Sequence, residues 1–439
     1  DLYHTENALA LVEQGLKLGG SGKDRCNLAL LQGELLHDMG EIQRSMAAYN
    51  AVLVDTPDDL GRCQAWIGLA AGMRVADQYE EALAALEKAE SVAGAQGLPD
   101  ELARIHHLRG NLYFPLGRTE DCAKEHQLSL KFAHEAGSPE SEARALGGLG
   151  DAFYALGRMR TAHGYFKKCL ALAREHGFGR IEVANWPMIA TTLRYLMRWK
   201  EGLAESNAAV EAAMKVGHRR SELVARLVRL NFLQQLGQLS KDSAFEEIQE
   251  LDELIQHLDA KRFAPHVLES YACLDLAEGN RKEAVEKLEK AVELSRGSDS
   301  SFAGPWLLSL LASTTDDEKK RCDALREAES ILAKGAVGHS HMYFYSRAIE
   351  AALRAGEWTE AERYAAALED YTREEPLPWA EFSIAKGRNL AAFGKGQRNQ
   401  DVIRELTRLR EEAANSGYAE GLPGLQEALS ELEEMAPRT

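Results

Sequence analysis

The chain repeats itself about every forty residues, and that period limits its fold more than any other feature. The clearest copy reads Leu146-x-x-Leu149-Gly150-x-x-Phe153-x-x-x-Gly157-x-x-x-x-Ala162-x-x-x-Phe166-x-x-Cys169. Gly110, Tyr113, Gly117, Cys122 and Ser129 stand forty residues earlier at the same spacings. A period of roughly 20–50 residues marks a stacked array, in which no unit buries its apolar face alone. Small residues at two fixed points let two helices of a unit approach closely, and aromatic or aliphatic side chains fill the seam between them.

Each unit is anchored on the turn between its two helices. The anchors are Gly40, Asp77, Gly117, Gly157, Met197, Gly237, Gly279, a position near Thr315, Gly356 and Gly394, about 39 residues per unit over nine intervals. Apolar residues at three- and four-residue spacing precede each anchor, and patterns such as Glu81-Ala82-Leu83 and Glu283-Ala284 follow it. Thr56-Pro57-Asp58-Asp59 and Ser138-Pro139-Glu140 carry helix-start chemistry: a cap, a first-turn proline and an acid. Pro265 and Pro305 are expected to start helices, and Pro187 to be a late start or a kink. Residues 1–20 read as the second helix of a preceding unit, 21–240 as well-formed units, and 241–439 as more divergent units of one array. Divergence shows in the enlarged half-unit from Phe245 to Leu258 and in the glycine-free turn at Ser313-Thr314-Thr315.

These residues carry a family resemblance. The unit with Leu149-Gly150, Phe153, Gly157, Ala162 and Phe166 resembles the tetratricopeptide repeat, lengthened from that family's usual 34 residues. The longer form is similar to the repeats of bacterial signal-transduction ATPases, including the sensor region of maltose-regulator-type activators. Gly177-Phe178-Gly179-Arg180-Ile181-Glu182-Val183-Ala184-Asn185 resembles the C-terminal repeats of multidomain class III nucleotide cyclases. The resemblance implies an all-α, right-handed superhelical solenoid of about ten such units. It also implies an ATPase or cyclase domain upstream in the same polypeptide, as expected for a chain that begins at Asp1 and opens on half a unit.

At 439 residues the chain exceeds the roughly 250–300 residues of a single core, a limit an array escapes. It has no run of eighteen apolar residues, so no membrane span is expected, and no signal peptide is recognisable. Six scattered cysteines suit buried small residues in a reducing cytoplasm. A net charge of −17 argues against nucleic-acid partners. Within it, residues 158–229 hold fourteen Lys/Arg against six Glu, a basic stretch suited to an acidic partner or a neighbouring acidic domain.

No catalytic constellation stands out, and no cofactor is called for. Gly19-Gly20-Ser21-Gly22-Lys23-Asp24 lacks phosphate-loop spacing and a preceding strand. His106-His107 point about 100° apart on a helix, and His339-Ser340-His341, read as a loop, has no third ligand nearby, so surface or capping roles are expected and no metal.

The sequence therefore points to binding in a concave groove lined by the first helix of each unit. Asn111, Asp151, Thr191 and Asn231 share one groove position. His107 lies one turn before Asn111; Phe114, Tyr154, Arg194 and Gln234 lie one turn after, and Arg104 and Arg144 near their helix starts. The tetratricopeptide resemblance implies asparagine at the central position with Lys or Arg around it, a clamp for a carboxylate. Asn111 and Asn231 match that pattern, while Asp151 and Thr191 depart from it. The expected function is an interaction and sensor module that takes a peptide, protein partner or small effector, centred on Arg104, His107, Asn111, Arg144, Asp151, Tyr154, Arg194, Asn231 and Gln234, and regulates an associated catalytic domain. The alternative is a structural scaffold or oligomerisation arm.

Overall fold

The structure is a computed structural model that describes residues 2–19, 22–55, 58–297 and 300–435. Among these, the first stretch of the array comprises α1 (Leu2–Leu18), α2 (Gly22–Asp38), α3 (Ile42–Asp55), α4 (Asp59–Val75), α5 (Tyr79–Gln96), α6 (Pro99–Tyr113), α7 (Thr119–Ala136), α8 (Pro139–Ala155), α9 (Met159–His176), α10 (Gly179–Tyr195), α11 (Trp199–Val216), α12 (Arg219–Gln235) and α13 (Lys241–His257). After a short 3-10 segment, Lys261–Phe263, follow α14 (Ala264–Ala277), α15 (Arg281–Arg296), α16 (Ser300–Thr314), α17 (Glu318–Leu332), α18 (Gly338–Arg354), α19 (Trp358–Tyr371), α20 (Pro378–Gly394), α21 (Gln400–Ser416) and α22 (Pro423–Met435). The fold is an all-helical, tetratricopeptide-like solenoid, with ten helix pairs from α2–α3 to α20–α21.

The small residues of the repeat are there because their partners are large. A Cβ on Gly150 of α8 would stand 2.5 Å from the Phe166 ring of α9. Glycine at one point and phenylalanine at the other are thus one steric decision. Most anchors adopt the left-handed turn, with or without glycine: Gly117 and Gly157 do, and so do Asp77 (φ 56°) and Met197 (φ 55°), whereas the turn near Thr315 has no left-handed residue. A second row joins the units, Gly97, Gly137, Gly177 and Gly217, each ending its helix in the left-handed conformation.

Several expectations are corrected in detail. The last left-handed anchor is Gly396, not Gly394, which lies inside α20 against Trp358. Pro305 does not start a helix: α16 is already helical from Ser300, and the buried proline sits inside it. Pro187 likewise lies within α10, which continues to Tyr195. His339 and His341 belong to α18 rather than a loop; His339 is buried, with its Nε2 2.9 Å from the Phe302 carbonyl. His106 is buried too, its Nδ1 2.7 Å from Glu125. Ser138 caps α8 as expected, and Asp58 caps α4 through the Gly61 N–H; Thr56 and Pro57, like Gly20 and Ser21, lie outside the described residues.

The solenoid returns onto itself. Five units on, α18 packs on α8 and α20 on α10. The backbones meet so closely that a Cβ on Gly338 would stand 2.5 Å from the Gly157 nitrogen and 2.7 Å from the Tyr154 carbonyl oxygen. Glu375, in the loop before α20, caps α9 from outside its own unit: its carboxylate accepts from the Arg160 N–H at 2.6 Å, the Thr161 N–H at 3.3 Å and the Thr161 hydroxyl at 2.6 Å. Arg158, at the N-cap of α9, offers those donors no side-chain acceptor and pairs instead with Glu374. One continuous apolar cluster runs from Tyr154 to Leu429 through this seam.

Candidate functional site

Where the two turns of the solenoid meet, the inner face is filled. Arg194 and Tyr154 keep 5% and 6% of their surface. The Arg194 guanidinium lies 4.9 Å from the Tyr343 ring, 5.3 Å from Tyr195 and 5.7 Å from Trp306, and donates to Asn231 Oδ1 at 3.1 Å. Trp306 and Tyr343 stack at 3.9 Å, Tyr195 meets Trp379 edge-on at 5.6 Å, and Tyr154 lies 5.5 Å from His339. The sequence places Tyr154 and Arg194 on an open groove. The structure covers them with side chains of α16, α18 and α20, more than 100 residues on, which the spacing within one unit does not reveal.

The first turn, from α2 to α13, keeps its inner face partly exposed. His107, Asn111, Asp151, Arg104, Arg74 and Arg220 all retain solvent contact, and Arg144 is exposed. Asn111 Nδ2 lies 3.0 Å from His107 Nε2. Arg104 pairs with Glu101 at 3.0 Å and stands 3.9 Å from Glu34; Arg144 pairs with Glu140 at 2.7 Å. Burial pushes the Asp151 carboxyl up to about 7, with Arg74 and Arg220 pulling the other way. Burial, helped by Arg74, Arg180 and Arg220, lowers His37 to about 4. Burial, helped by Arg180 and Arg220, lowers His218 to about 3. The imidazoles on this face are therefore neutral, and its positive charge belongs to arginine.

Arg74, Arg220 and Arg262 were missed by sequence reasoning. Arg74 was within reach of it. Three residues before Asp77, it holds the register of Phe114, Tyr154, Arg194 and Gln234, one unit earlier than that row was followed. Arg220 extends the column Asp100, Glu140, Arg180 at forty-residue steps. Arg262 had no signal, because the 3-10 segment that carries it falls between units.

Beyond the seam, a cavity of about 290 Å³ lies between Gln234, Tyr343, Trp379, Phe382, Arg347 and Lys386. Its charges are paired: Lys386 with Glu350 at 2.9 Å, Arg347 with Glu420, and Arg354 with Asp316 at 2.6 Å. The structure thus separates the nine expected residues. Arg104, His107, Asn111, Arg144 and Asp151 share the open turn, Tyr154 and Arg194 lie in the seam with Asn231 beside them, and Gln234 lines the cavity.

The basic stretch 158–229 is met in part by the chain's own acids. Arg158 pairs with Glu374, Arg180 with Asp38 at 3.0 Å, Arg226 with Glu250 at 2.5 Å and Arg229 with Glu247 at 2.6 Å. Among the described residues no helix is long and apolar enough to cross a membrane, and no group of three or more His, Cys, Asp or Glu could hold a metal ion.

Residues 101–175 match the family model of the tetratricopeptide repeat. No curated protein matches the chain. Among solved structures the chain is similar to a Rap protein in complex with competence and sporulation factor, with a TM-score of 0.60 at 13% identity over 80% of this chain and 98% of that one. The apo form of RapI aligns with a TM-score of 0.46 at 12% identity, over 62% of this chain and 97% of that one. A tetratricopeptide repeat protein from Parabacteroides merdae ATCC 43184 aligns with a TM-score of 0.37 at 14% identity, over 71% and 100%.

Proposed function

We propose that this tetratricopeptide-like solenoid is a binding and sensing module whose ligand, a protein segment or small effector carrying negative charge, enters the inner face of the first turn. One observation carries the reading: between α2 and α13 that face stays partly open at Arg104, His107, Asn111 and Asp151, while at Tyr154 and Arg194 of the same stretch it is plugged by aromatic rings from later units. Arg104, His107, Asn111, Arg144 and Asp151 are the contact residues of this reading. Guanidinium and amide groups grip carboxylates and phosphates through charge-assisted hydrogen bonds. A Rap protein of similar fold is seen with competence and sporulation factor bound, which agrees with ligand capture by this architecture.

Regulation follows from the seam. A ligand that prefers one spacing of the two turns shifts the population of that state by its differential affinity, and an ATPase or cyclase domain joined to the array, in the cytoplasm, would read the shift. The test is the triple variant Arg104→Ala, Asn111→Ala, Arg144→Ala in the full-length protein. Partner capture and control of the associated domain are expected to fall while helical content and melting stay unchanged. Unchanged capture and control would discard the reading in favour of a scaffold, which the clasp of Glu375 on α9 otherwise favours.

A further inference from the structure

Nearly every arginine described above has a carboxylate to answer its charge or, like Arg194, is closed in by rings and an amide. Three on the inner face have no carboxylate partner. Arg74 ends α4, Arg220 begins α12, and Arg262 lies in the 3-10 segment Lys261–Phe263. They come from three distant parts of the chain and converge where the first turn closes on itself. A Cβ on Gly40 would meet Leu258 at 3.2 Å there, and Arg220 and Arg262 stand 5.7 and 4.9 Å from the same Phe263 ring. Arg262 also lies 5.4 Å from the Phe302 ring. Among the described residues none of the three forms an ion pair, and the Nε atoms of Arg74 and Arg262 are buried without a hydrogen-bond partner. The three are near enough to repel: Arg262 and Arg74 both disfavour the charge on Arg220, second only to burial.

The nearest acids do not cancel this charge. Asp77 accepts from the Tyr79 hydroxyl at 2.6 Å, and Asp151 holds its proton up to about pH 7. Leaving an uncompensated charge in a partly buried site is costly, and gathering three is costlier. An anion from outside removes the cost. A guanidinium held against a ring face keeps its in-plane N–H donors for another acceptor, and it matches phosphate geometry bidentately. Three such forks exceed what the two oxygens of one carboxylate can occupy. A phosphate monoester offers three terminal oxygens and a charge of about −1.5 to −2 near neutral pH. The cavity near Trp379 makes no such demand, since its cations are already paired.

We propose that Arg74, Arg220 and Arg262, backed by Phe263 and Phe302, form a binding site for a phosphate dianion, carried by a small effector or by a phosphorylated side chain. The proposal rests on the inner face of the first turn being the ligand face, and it names the chemistry of that ligand.

The test titrates the full chain at pH 6.5, where Asp151 keeps its proton and a phosphate monoester is largely dianionic, at constant ionic strength with inorganic phosphate, phenyl phosphate and a phosphoserine peptide, with acetate as the control. Calorimetry and melting temperature are the readouts. Saturable binding and stabilisation by phosphate are expected, with acetate inert. Removing one fork by R220Q or R262Q should weaken phosphate about tenfold or more. Both variants should melt no lower than the parent in phosphate-free buffer, because each removes an unanswered charge. If one of them fails to fold, Arg262→Lys, which keeps the charge and removes the fork, is expected to weaken phosphate several-fold. Tighter binding of phenyl phosphate identifies a small effector, and tighter binding of the peptide a modified protein segment. Non-saturable effects, equal effects of acetate, or unchanged affinity in R220Q and R262Q overturn the proposal. Failure here with loss of partner capture in the Arg104/Asn111/Arg144 variant leaves the module reading standing. Phosphate binding together with partner capture and control left unchanged by the Arg104/Asn111/Arg144 variant removes those contact residues and keeps this site.

Discussion

Arg74 and Arg194 hold the same place in the repeat, three residues before the turn residues Asp77 and Met197, yet they face opposite surroundings. Arg194 is closed in by Tyr195, Tyr343, Trp306 and Asn231. Arg74, whose Nε is buried without a partner just as that of Arg194 is, has no such ring cage: its charged neighbours are Arg262, which opposes its charge, and Asp151 and Asp77, which favour it. The difference lies in what the next turn of the solenoid brings. Over units four and five the returning α18 and α20 supply rings that satisfy a buried cation. Over unit two the returning segment brings Arg262, a further cation. A repeat position thus fixes where a side chain points, and the superhelical return decides whether it becomes structure or a site.

The comparison breaks most visibly at Arg194. Arg194→Ala removes a buried cation from three aromatic faces and leaves Asn231 Oδ1 without its donor. A loss of about 3 kcal/mol is expected in denaturant unfolding. Arg74→Ala is expected to cost nothing, or to stabilise slightly, in anion-free buffer. Equal losses at the two positions would mean that the seam and the open turn are energetically alike.

Gly338→Ala attacks the seam itself. The new Cβ would press on the Gly157 nitrogen and the Tyr154 carbonyl oxygen, backbone atoms that cannot rotate away. Overpacking of this kind costs about 2 kcal/mol, and the two turns should part. A larger radius of gyration in solution scattering is the accompanying sign; a variant with unchanged radius and stability would show that the turns need no such close approach. Glu375→Ala is milder. It removes a cap from α9 and leaves the Arg160 and Thr161 N–H groups to water, for a loss of about 1 kcal/mol. Adding Arg158→Ala should then cost little more, since that pair is exposed on the Glu374 side.

These two regions were unequally legible in the sequence. The forty-residue register located the left-handed turns even at Asp77 and Met197, where no glycine marks them, because apolar spacing on both sides fixed the position. It also grouped Arg104, His107, Asn111, Arg144 and Asp151 on one face, which stays partly exposed in the structure. The burial of Tyr154 and Arg194 was not legible. It depends on contacts between units four or five and units nine or ten, and a repeat pattern carries no term for which distant copies touch. Arg262 was hidden for a related reason: it sits in an interruption of the repeat, where register gives no guidance. Pro305 misled because proline favours a first turn locally, whereas α16 already runs from Ser300 and keeps that proline buried.

The smallest expected effect concerns Asp151, the acid among the open turn's arginines, and its sign is fixed by linkage. Burial raises its carboxyl from the ordinary 3.8 to about 7, more than Arg74 and Arg220 lower it. The folded chain therefore keeps a proton that the unfolded chain has lost between about pH 4 and 7. Stability from this group falls as pH rises through that window, and the penalty is complete above it. Asp151→Asn removes the ionisable group while keeping its shape. It should leave stability near pH 4 almost unchanged and raise it at pH 8, by on the order of 1 kcal/mol once partial solvent access is allowed for. The contrast is sharpest when the melts are repeated with phosphate. If the arginines are waiting for an anion, an ionised Asp151 competes with it, so the variant should bind phosphate more tightly at pH 8 and no differently at pH 5. A stability loss in the variant at pH 8 would instead mean that an ionised Asp151 already serves as the counter-charge of Arg74 and Arg220, and the open turn would then resemble the seam after all.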